Sequence, residues 1–215
     1  MRSFFDCVSI FYAWMTGQDA WRGSCAALVE RLPPGLGLRI VDLGCGPGVS
    51  AFEVARGRPG AWVAGVDSAV GMLQQARRRS RVEAPPANRI RWVCADAGQL
   101  PFRTGSVDAL TGHSFLYLLS DRDAALSECL RVLRSGGRLV VMEPSDRPVR
   151  LPELLRTSLD ARFLLSMALW RPMSRLRGRF GPTSLHALLR RSGFATCRVE
   201  GTLGGLGLCA RAQKA

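Results

Sequence analysis

Val41-Asp42-Leu43-Gly44-Cys45-Gly46-Pro47-Gly48 is the stretch from which the rest of the chain is read. It continues an apolar strand that begins at Arg39-Ile40, and it precedes a predicted helix from Val49 to Arg56. Glycine has no Cβ, so such a turn lets main chain approach a ligand lying against the first helix of an α/β sheet. A lone Gly-x-Gly-x-Gly is weak evidence. Here Asp67 ends the next apolar run, 61–66, and Asp96 ends a third, 90–95. Three successive strands therefore each bring a carboxylate to one edge of a sheet.

Outward from this core, strands are predicted at 39–43, 61–67, 90–95, 107–112 and 138–143, with helices at 49–56, 69–80 and 121–133. Such alternation predicts a parallel sheet with right-handed crossovers. Asp121 is placed to cap the last of these helices, and Gly136-Gly137 to close it. The tail predicts a helix from Thr183 to Arg191, then strands at 195–200 and 205–213 that pair antiparallel across a short Gly-containing link. Residues 3–32 predict one or two helices broken at Gly17, the second running from Asp19 to Leu32 and ended by Pro33-Pro34-Gly35. Residues 145–181 lie outside the βα pattern. Leu151, Leu154, Leu155, Leu159, Phe163, Met167 and Trp170 predict a helix with a wide apolar face, interrupted at Pro172. From 161 to 199 there is no acidic residue but eight arginines.

These motifs, in this order, resemble the class I S-adenosylmethionine-dependent methyltransferases, above all the ubiquinone/menaquinone-biosynthesis type and its small-molecule relatives. Asp42 to Gly48 resembles the family's first motif, and Gly65-Val66-Asp67-Ser68 with Met72-Leu73 the second. Asp96-Ala97 with Leu100-Pro101-Phe102 resembles the third. Ser106-Val107-Asp108-Ala109 resembles the fourth strand, and 131–139 the turn before the fifth. The likeness is close over residues 36–144 and loose over 182–213. It implies a Rossmann-like, mostly parallel sheet of seven strands in the order 3-2-1-4-5-7-6, the last antiparallel, with helices on both faces. It implies one domain, 1–215: an N-terminal helical lid (1–35), a cofactor-binding core (36–144), a helical substrate cap (145–181) and a terminal helix and hairpin (182–215).

The implied cofactor is S-adenosyl-L-methionine, leaving as S-adenosyl-L-homocysteine. Its expected contacts are Asp42, Gly44, Cys45, Gly46, Gly48, Asp67, Ser68, Met72, Asp96, Ala97 and His113. Asp67 is placed to accept from ribose hydroxyls, and Asp96 with Ala97 to meet the adenine edge. Asp67 could instead serve only as a helix cap. NAD fits poorly, because the third glycine is one residue early and Asp42 would repel a pyrophosphate. Cys45, inside the loop, is a small packing residue rather than a nucleophile.

Methyl transfer needs alignment and exclusion of water, with a general base for some acceptors. His113, at the end of the fourth strand, is either that base or a ring lining the cofactor; Tyr117 is the other acid/base candidate. Tyr12 and Trp14 resemble the family's lid segment, with Ala13 where an Asp usually follows. With Tyr117, Phe163, Met167 and Trp170 they form the expected acceptor pocket.

The chain has 215 residues and 47% apolar composition, which fits one globular domain. No run of 18 apolar residues and no signal-peptide pattern is present. Seven scattered cysteines and two histidines form no metal or disulfide framework, which points to reduced thiols and a cytoplasmic protein. The net charge is +13, and Lys214 is the only lysine. Such a charge fits a solvated surface, a nucleic acid, an anionic membrane or an anionic substrate. The expected function is methyl transfer to a hydrophobic small molecule: a secondary metabolite, or a quinone-like or lipid-like acceptor. Peripheral contact with an anionic membrane is the accompanying expectation. A nucleic-acid methyltransferase is the first rival. It lacks the Asn/Asp-Pro-Pro-Tyr-like motif of many base N-methyltransferases, since Thr111-Gly112-His113-Ser114 stands there. A non-catalytic partner protein is the second rival, and the intact first motif argues against it.

Overall fold

The computed structural model describes residues 2–83, 90–148 and 151–215, those at 2, 3 and 151 by backbone alone. Helices α1 (Arg2–Thr16) and α2 (Asp19–Val29) precede the first strand. Then come β1 (Arg39–Leu43), α3 (Val49–Gly57), β2 (Trp62–Asp67), α4 (Val70–Val82), β3 (Ile90–Cys94) and β4 (Val107–His113). A 3-10 turn (Leu116–Leu118) leads to α5 (Arg122–Val132) and β5 (Leu133–Pro144). After α6 (Leu151–Thr157), α7 (Ala161–Arg177) and α8 (Pro182–Arg191), the chain ends in β6 (Thr196–Thr202) and β7 (Gly207–Gln213).

The strand order is β3-β2-β1-β4-β5-β7-β6. The first five strands are parallel, and β7 is inserted antiparallel to both β5 and β6. This is the seven-stranded arrangement expected from the motifs. Alternate strand residues separate into two cores, as the two-residue period of a strand requires. Val41, Leu43, Val66, Leu110 and Val141 pack with α5, α7 and α8 on one face. Ile40, Val63, Ala109 and Val140 pack with α2 and α3 on the other. With both faces covered, β1 and β4 are almost wholly buried, which is why they read as continuous apolar runs.

Asp121 caps α5 by accepting from the Ala124 N–H at 2.9 Å. The end of α5 differs from expectation. The helix stops at Val132, and Leu133 is already extended and pairs with Val107. Gly136 takes a left-handed φ of 71° inside β5, where the register against β4 shifts between Val107 and Ala109, so the two glycines form an irregularity of the strand rather than close the helix. The region after β5 also differs. Pro172 lies inside α7, which continues to Arg177; the break falls earlier, between α6 and α7, where Asp160 caps α7 by accepting from Arg162 N–H. Proline removes one N–H but still permits helical φ. The carbonyl of Arg171 beside it receives the Ser174 hydroxyl and the Arg179 guanidinium. The side chain of Leu151, part of the expected apolar face, lies outside the described residues.

The N-terminal helices are fastened to the sheet layers. The Asp6 carboxylate accepts from the Gly71 N–H at 2.6 Å, capping the first turn of α4 from α1. A Cβ on Gly71 would stand 2.9 Å from the Asp6 carbonyl oxygen, so that close approach needs glycine. Arg22 of α2 pairs with Glu53 of α3 at 3.0 Å and with Glu83 beyond α4 at 2.6 Å.

Candidate functional site

At the carboxyl ends of β1, β2, β3 and β4 the side chains enclose a cleft beneath α1. The loop after β1 winds through three left-handed glycines, Gly44, Gly46 and Gly48, with φ of 60°, 52° and 89°. Each is needed for a different reason. A Cβ on Gly44 would come within 2.5 Å of the Phe115 Cβ, and one on Gly48 within 2.8 Å of the Trp92 ring. A Cβ on Gly46 would point toward Tyr12, at 3.7 Å, across the cleft. Gly48 therefore makes room for packing rather than for a ligand. Arg79 holds the loop from α4 by donating to the Pro47 carbonyl at 3.1 Å.

Asp67, at the tip of β2, lines the cleft. One of its oxygens accepts from Gly46 N–H at 2.9 Å and the other from Ala69 N–H at 2.8 Å. It thus serves both the loop and the start of α4, with lone pairs left over. Burial raises its pKa, and the two N–H donors work the other way. Asp96 lines the same cleft and accepts from Gly98 N–H at 2.7 Å through one oxygen. Ser68, Met72 and Ala97 complete this wall.

Asp42 is placed differently from expectation. It is fully buried beneath the loop, and its oxygens accept the hydroxyls of Ser50 (2.5 Å) and Thr111 (2.7 Å). Burial pushes its pKa up to about 6 despite those bonds. It braces the loop and does not border the cleft. Cys45 also sits below, its N–H bonded to the Val66 carbonyl at 3.0 Å and its thiol pKa raised by burial.

The opposite wall comes from the end of β4. His113 is buried, its Nε2 2.7 Å from the Ser24 hydroxyl and its ring 4.5 Å from that of Trp21. Burial lowers its pKa to about 3, so the ring is neutral near pH 7. Among the described residues its Nδ1 has no hydrogen-bond partner, and neither does the buried hydroxyl of the neighbouring Ser114. Ser114 has a left-handed φ of 59°, unusual for a residue with a side chain, and it lines the cleft. Glu143 explains how this wall is held. It is fully buried at the end of β5 and accepts from the N–H groups of Phe115 (3.2 Å), Leu116 (2.9 Å) and Tyr117 (3.1 Å). Burial lifts its pKa to about 7.

Phe5 and Tyr12 of α1 close the cleft together with Phe115, Leu118 and Leu119. Burial, and then the charge of Asp67, raise the Tyr12 pKa. The other expected acceptor residues lie elsewhere. Trp14 is 49% exposed on the outer face of α1, stacked on Phe11. Phe163, Met167 and Trp170 are buried in the core under α7, with Trp170 edge-on to Trp21. Tyr117 is buried behind the cleft, and burial raises its pKa. Amphipathic spacing marked the α7 residues as an inward face, but that face packs with α1, the 3-10 turn and Trp21 of α2 and does not line the cleft. Ser114, Phe115 and Glu143 are site residues that sequence reasoning missed, as are Phe5, Leu118 and Leu119 of the apolar wall. Only Glu143 carried a signal: a carboxylate ending an apolar strand, as at Asp67 and Asp96.

The donors and acceptors of this cleft fit S-adenosylmethionine. Asp67 and Asp96 offer carboxylate acceptors, Gly44 and Gly46 expose main chain, and Ser114 and His113 hold orphaned polar atoms. Residues 41–141 match the model of the methyltransferase domain family. The chain is 40% identical over 148 residues to a demethylmenaquinone methyltransferase of Mycobacterium sp. strain KMS, covering 66% of this chain and 58% of that one. It is 36% identical over 129 residues to the ubiquinone/menaquinone biosynthesis C-methyltransferase UbiE of Paracoccus denitrificans, covering 60% and 51%. Its fold matches the [4+2]-cyclase SpnF with a TM-score of 0.73 at 20% identity, covering 99% and 94%. The fold and the matched domain are similar to those of the class I S-adenosylmethionine-dependent methyltransferases. Within that class the chain resembles the ubiquinone/menaquinone-biosynthesis type. The chain spans about half the length of the curated relatives it matches.

Proposed function

We propose that this protein transfers the methyl group of S-adenosylmethionine to a hydrophobic, quinone-like or lipid-like small molecule. The observation that carries the reading is the cleft itself. It combines two carboxylates and exposed loop main chain on one side with an apolar wall of Phe5, Phe115, Leu118 and Leu119 on the other. The cofactor, when bound, supplies an electrophilic methyl group. The chain's own residues bind, align and exclude water. Asp67 and Asp96 hold the polar nucleoside portion. The neutral His113 and Ser114 supply uncharged hydrogen-bonding groups where a cation would oppose a sulfonium. A ring that titrates near 3 is a weak base at neutral pH, so positioning is the role its chemistry supports.

The acceptor enters from the side of α1. The cleft as it stands leaves about 130 Å³ free, well below the roughly 300–1,000 Å³ of small-molecule sites. An outward movement of helix α1 would enlarge the cleft to admit cofactor and acceptor. Its outer face is apolar (Phe4, Ile10, Phe11, Trp14), and it touches α7, whose outer face carries Leu165, Leu169 and Leu176. Arg162, Arg171, Arg175 and Arg177 flank that stripe. Such faces suit peripheral contact with an anionic bilayer that holds the acceptor. Among the described residues no helix is long and apolar enough to cross a membrane.

The test is calorimetric titration with S-adenosylmethionine, followed by incubation with demethylated quinone acceptors and mass spectrometry of the product. Tight cofactor binding with S-adenosylhomocysteine release and a 14-dalton gain on the acceptor is the expected result. Cofactor binding without methyl transfer to any apolar acceptor would overturn the assignment.

A further inference from the structure

We propose that the basin between α7 and the segment after β5 is a second binding site, specific for a phosphate group. Asp146, Pro148, Arg171, Pro172, Arg175 and Arg179 line it, and it holds about 730 Å³. None of the six borders the cofactor cleft.

Three guanidiniums converge here, and among the described residues none of them forms an ion pair. They are held by main chain instead. Arg171 donates to the carbonyls of Ser145 (3.4 Å) and Arg147 (3.0 Å). Arg179 donates to the Ser174 hydroxyl at 3.0 Å and to the Arg171 carbonyl. These bonds pre-organise two forks without placing a carboxylate in ion-pair contact with either. Arg175 is exposed at the rim and brings a third fork. Arg171 and Arg179 are partly withdrawn from water, which lowers both pKa values; the charge of Arg179 adds to this at Arg171 and that of Arg175 at Arg179, while Asp146 works the other way on Arg179. Asp146 is the one carboxylate in the lining, and it reaches none of the three at ion-pair distance. Three like charges gathered against a single carboxylate are costly, and the structure tolerates that cost where an anion completes the site. Three guanidiniums against one carboxylate leave two positive charges, which matches a phosphate dianion. The planar fork of arginine fits phosphate oxygens two at a time. Pro148 and Pro172 supply an apolar border, and Leu169 and Leu176 of the same helix are 47% and 87% exposed beyond it. The phosphate can therefore belong to a free phosphorylated metabolite or to a lipid headgroup.

The experiment uses the whole chain and the variants Arg175→Glu, Arg175→Lys and Arg77→Glu. Among the described residues the Arg175 side chain makes no hydrogen bond, and Arg77 is an exposed control on α4 with the same change of charge. Inorganic phosphate is titrated by calorimetry and thermal shift, and vesicles containing phosphatidic acid are compared with neutral phosphatidylcholine by sedimentation. Expected is saturable phosphate binding weakened at least 10-fold in R175E, partly restored in R175K and unchanged in R77E. Binding to phosphatidic acid vesicles alone, lost in R175E but kept in R77E, supports the site with the headgroup as its source. No binding of either probe, or equal loss in R175E and R77E, overturns the proposal and leaves the basin a solvated basic surface.

Discussion

At the scale of single residues, Asp67 and His113 carry the sharpest consequences. Asp67 holds the Gly46 and Ala69 N–H groups and faces the cleft. Its replacement by Ala removes charge-assisted bonds worth about 1.5–3 kcal/mol, so affinity for S-adenosylmethionine should fall ~10-fold or more. Calorimetry on the folded variant checks this, and an unchanged Kd would remove Asp67 from the site. His113 calls for a different outcome. A buried ring titrating near 3 stays neutral across the working range. His113→Gln should therefore lower turnover by less than roughly 10-fold, and the wild-type rate should show no inflection near the ordinary histidine pKa. A fall of roughly 10²-fold with cofactor affinity intact would restore the general-base role. Asp67 and Asp96 were legible in the sequence because each closes an apolar run. Asp42 also closes one, but its direction depends on Ser50 and Thr111, the second of which comes from another strand. Strand parity alone does not foretell which carboxylate turns toward solvent and which turns inward.

At the scale of elements, the joint between α1 and α4 governs access. One charged hydrogen bond, from Gly71 N–H to Asp6, caps α4 and ties down the helix that roofs the cleft. Asp6→Ala loses a cap of about 1 kcal/mol and loosens α1. The global melting temperature should fall by only a few degrees. Amide exchange across residues 4–16 should accelerate, and the cofactor off-rate should rise. Unchanged exchange in α1 would show that apolar packing alone holds it. Helix existence and order were legible from periodicity and from caps such as Asp121, because those signals are local. The course of the chain after β5 was less so. Pro172 looked like a helix break, yet it costs α7 one N–H, the donor to the Ala168 carbonyl, and its ring keeps a helical φ, so the helix runs on to Arg177.

At the scale of the whole molecule, stability depends on carboxylates that the fold has buried, and Glu143 is the clearest case. Its pKa stands near 7, above the usual 4.5. The folded state therefore keeps a proton there that the unfolded chain has already released. The stabilisation this gives is complete below pH 4.5 and is lost as pH rises through 7. A shift of this size corresponds to about 3 kcal/mol. His113 acts in the opposite sense, since its lowered pKa gives stability that is present above the ordinary histidine value and lost as pH falls toward 3. Comparing wild type with Glu143→Gln cancels His113, which both proteins share. Urea unfolding at pH 5 and pH 8 should show wild type losing about 3 kcal/mol relative to the variant between the two. The variant itself is less stable at pH 5, because an amide has one acceptor oxygen for the three N–H groups of Phe115, Leu116 and Tyr117. The same three N–H groups shape the wall that holds Ser114 and His113. Between pH 5 and 8 Glu143 passes from a neutral acid to a charged acceptor and grips that turn more tightly even as the fold as a whole weakens. Cofactor affinity in the wild type should accordingly hold or rise over a range where global stability falls, and that divergence should vanish in Glu143→Gln. Parallel decline of affinity and stability in both proteins would mean that Glu143 supports the fold without shaping the cleft.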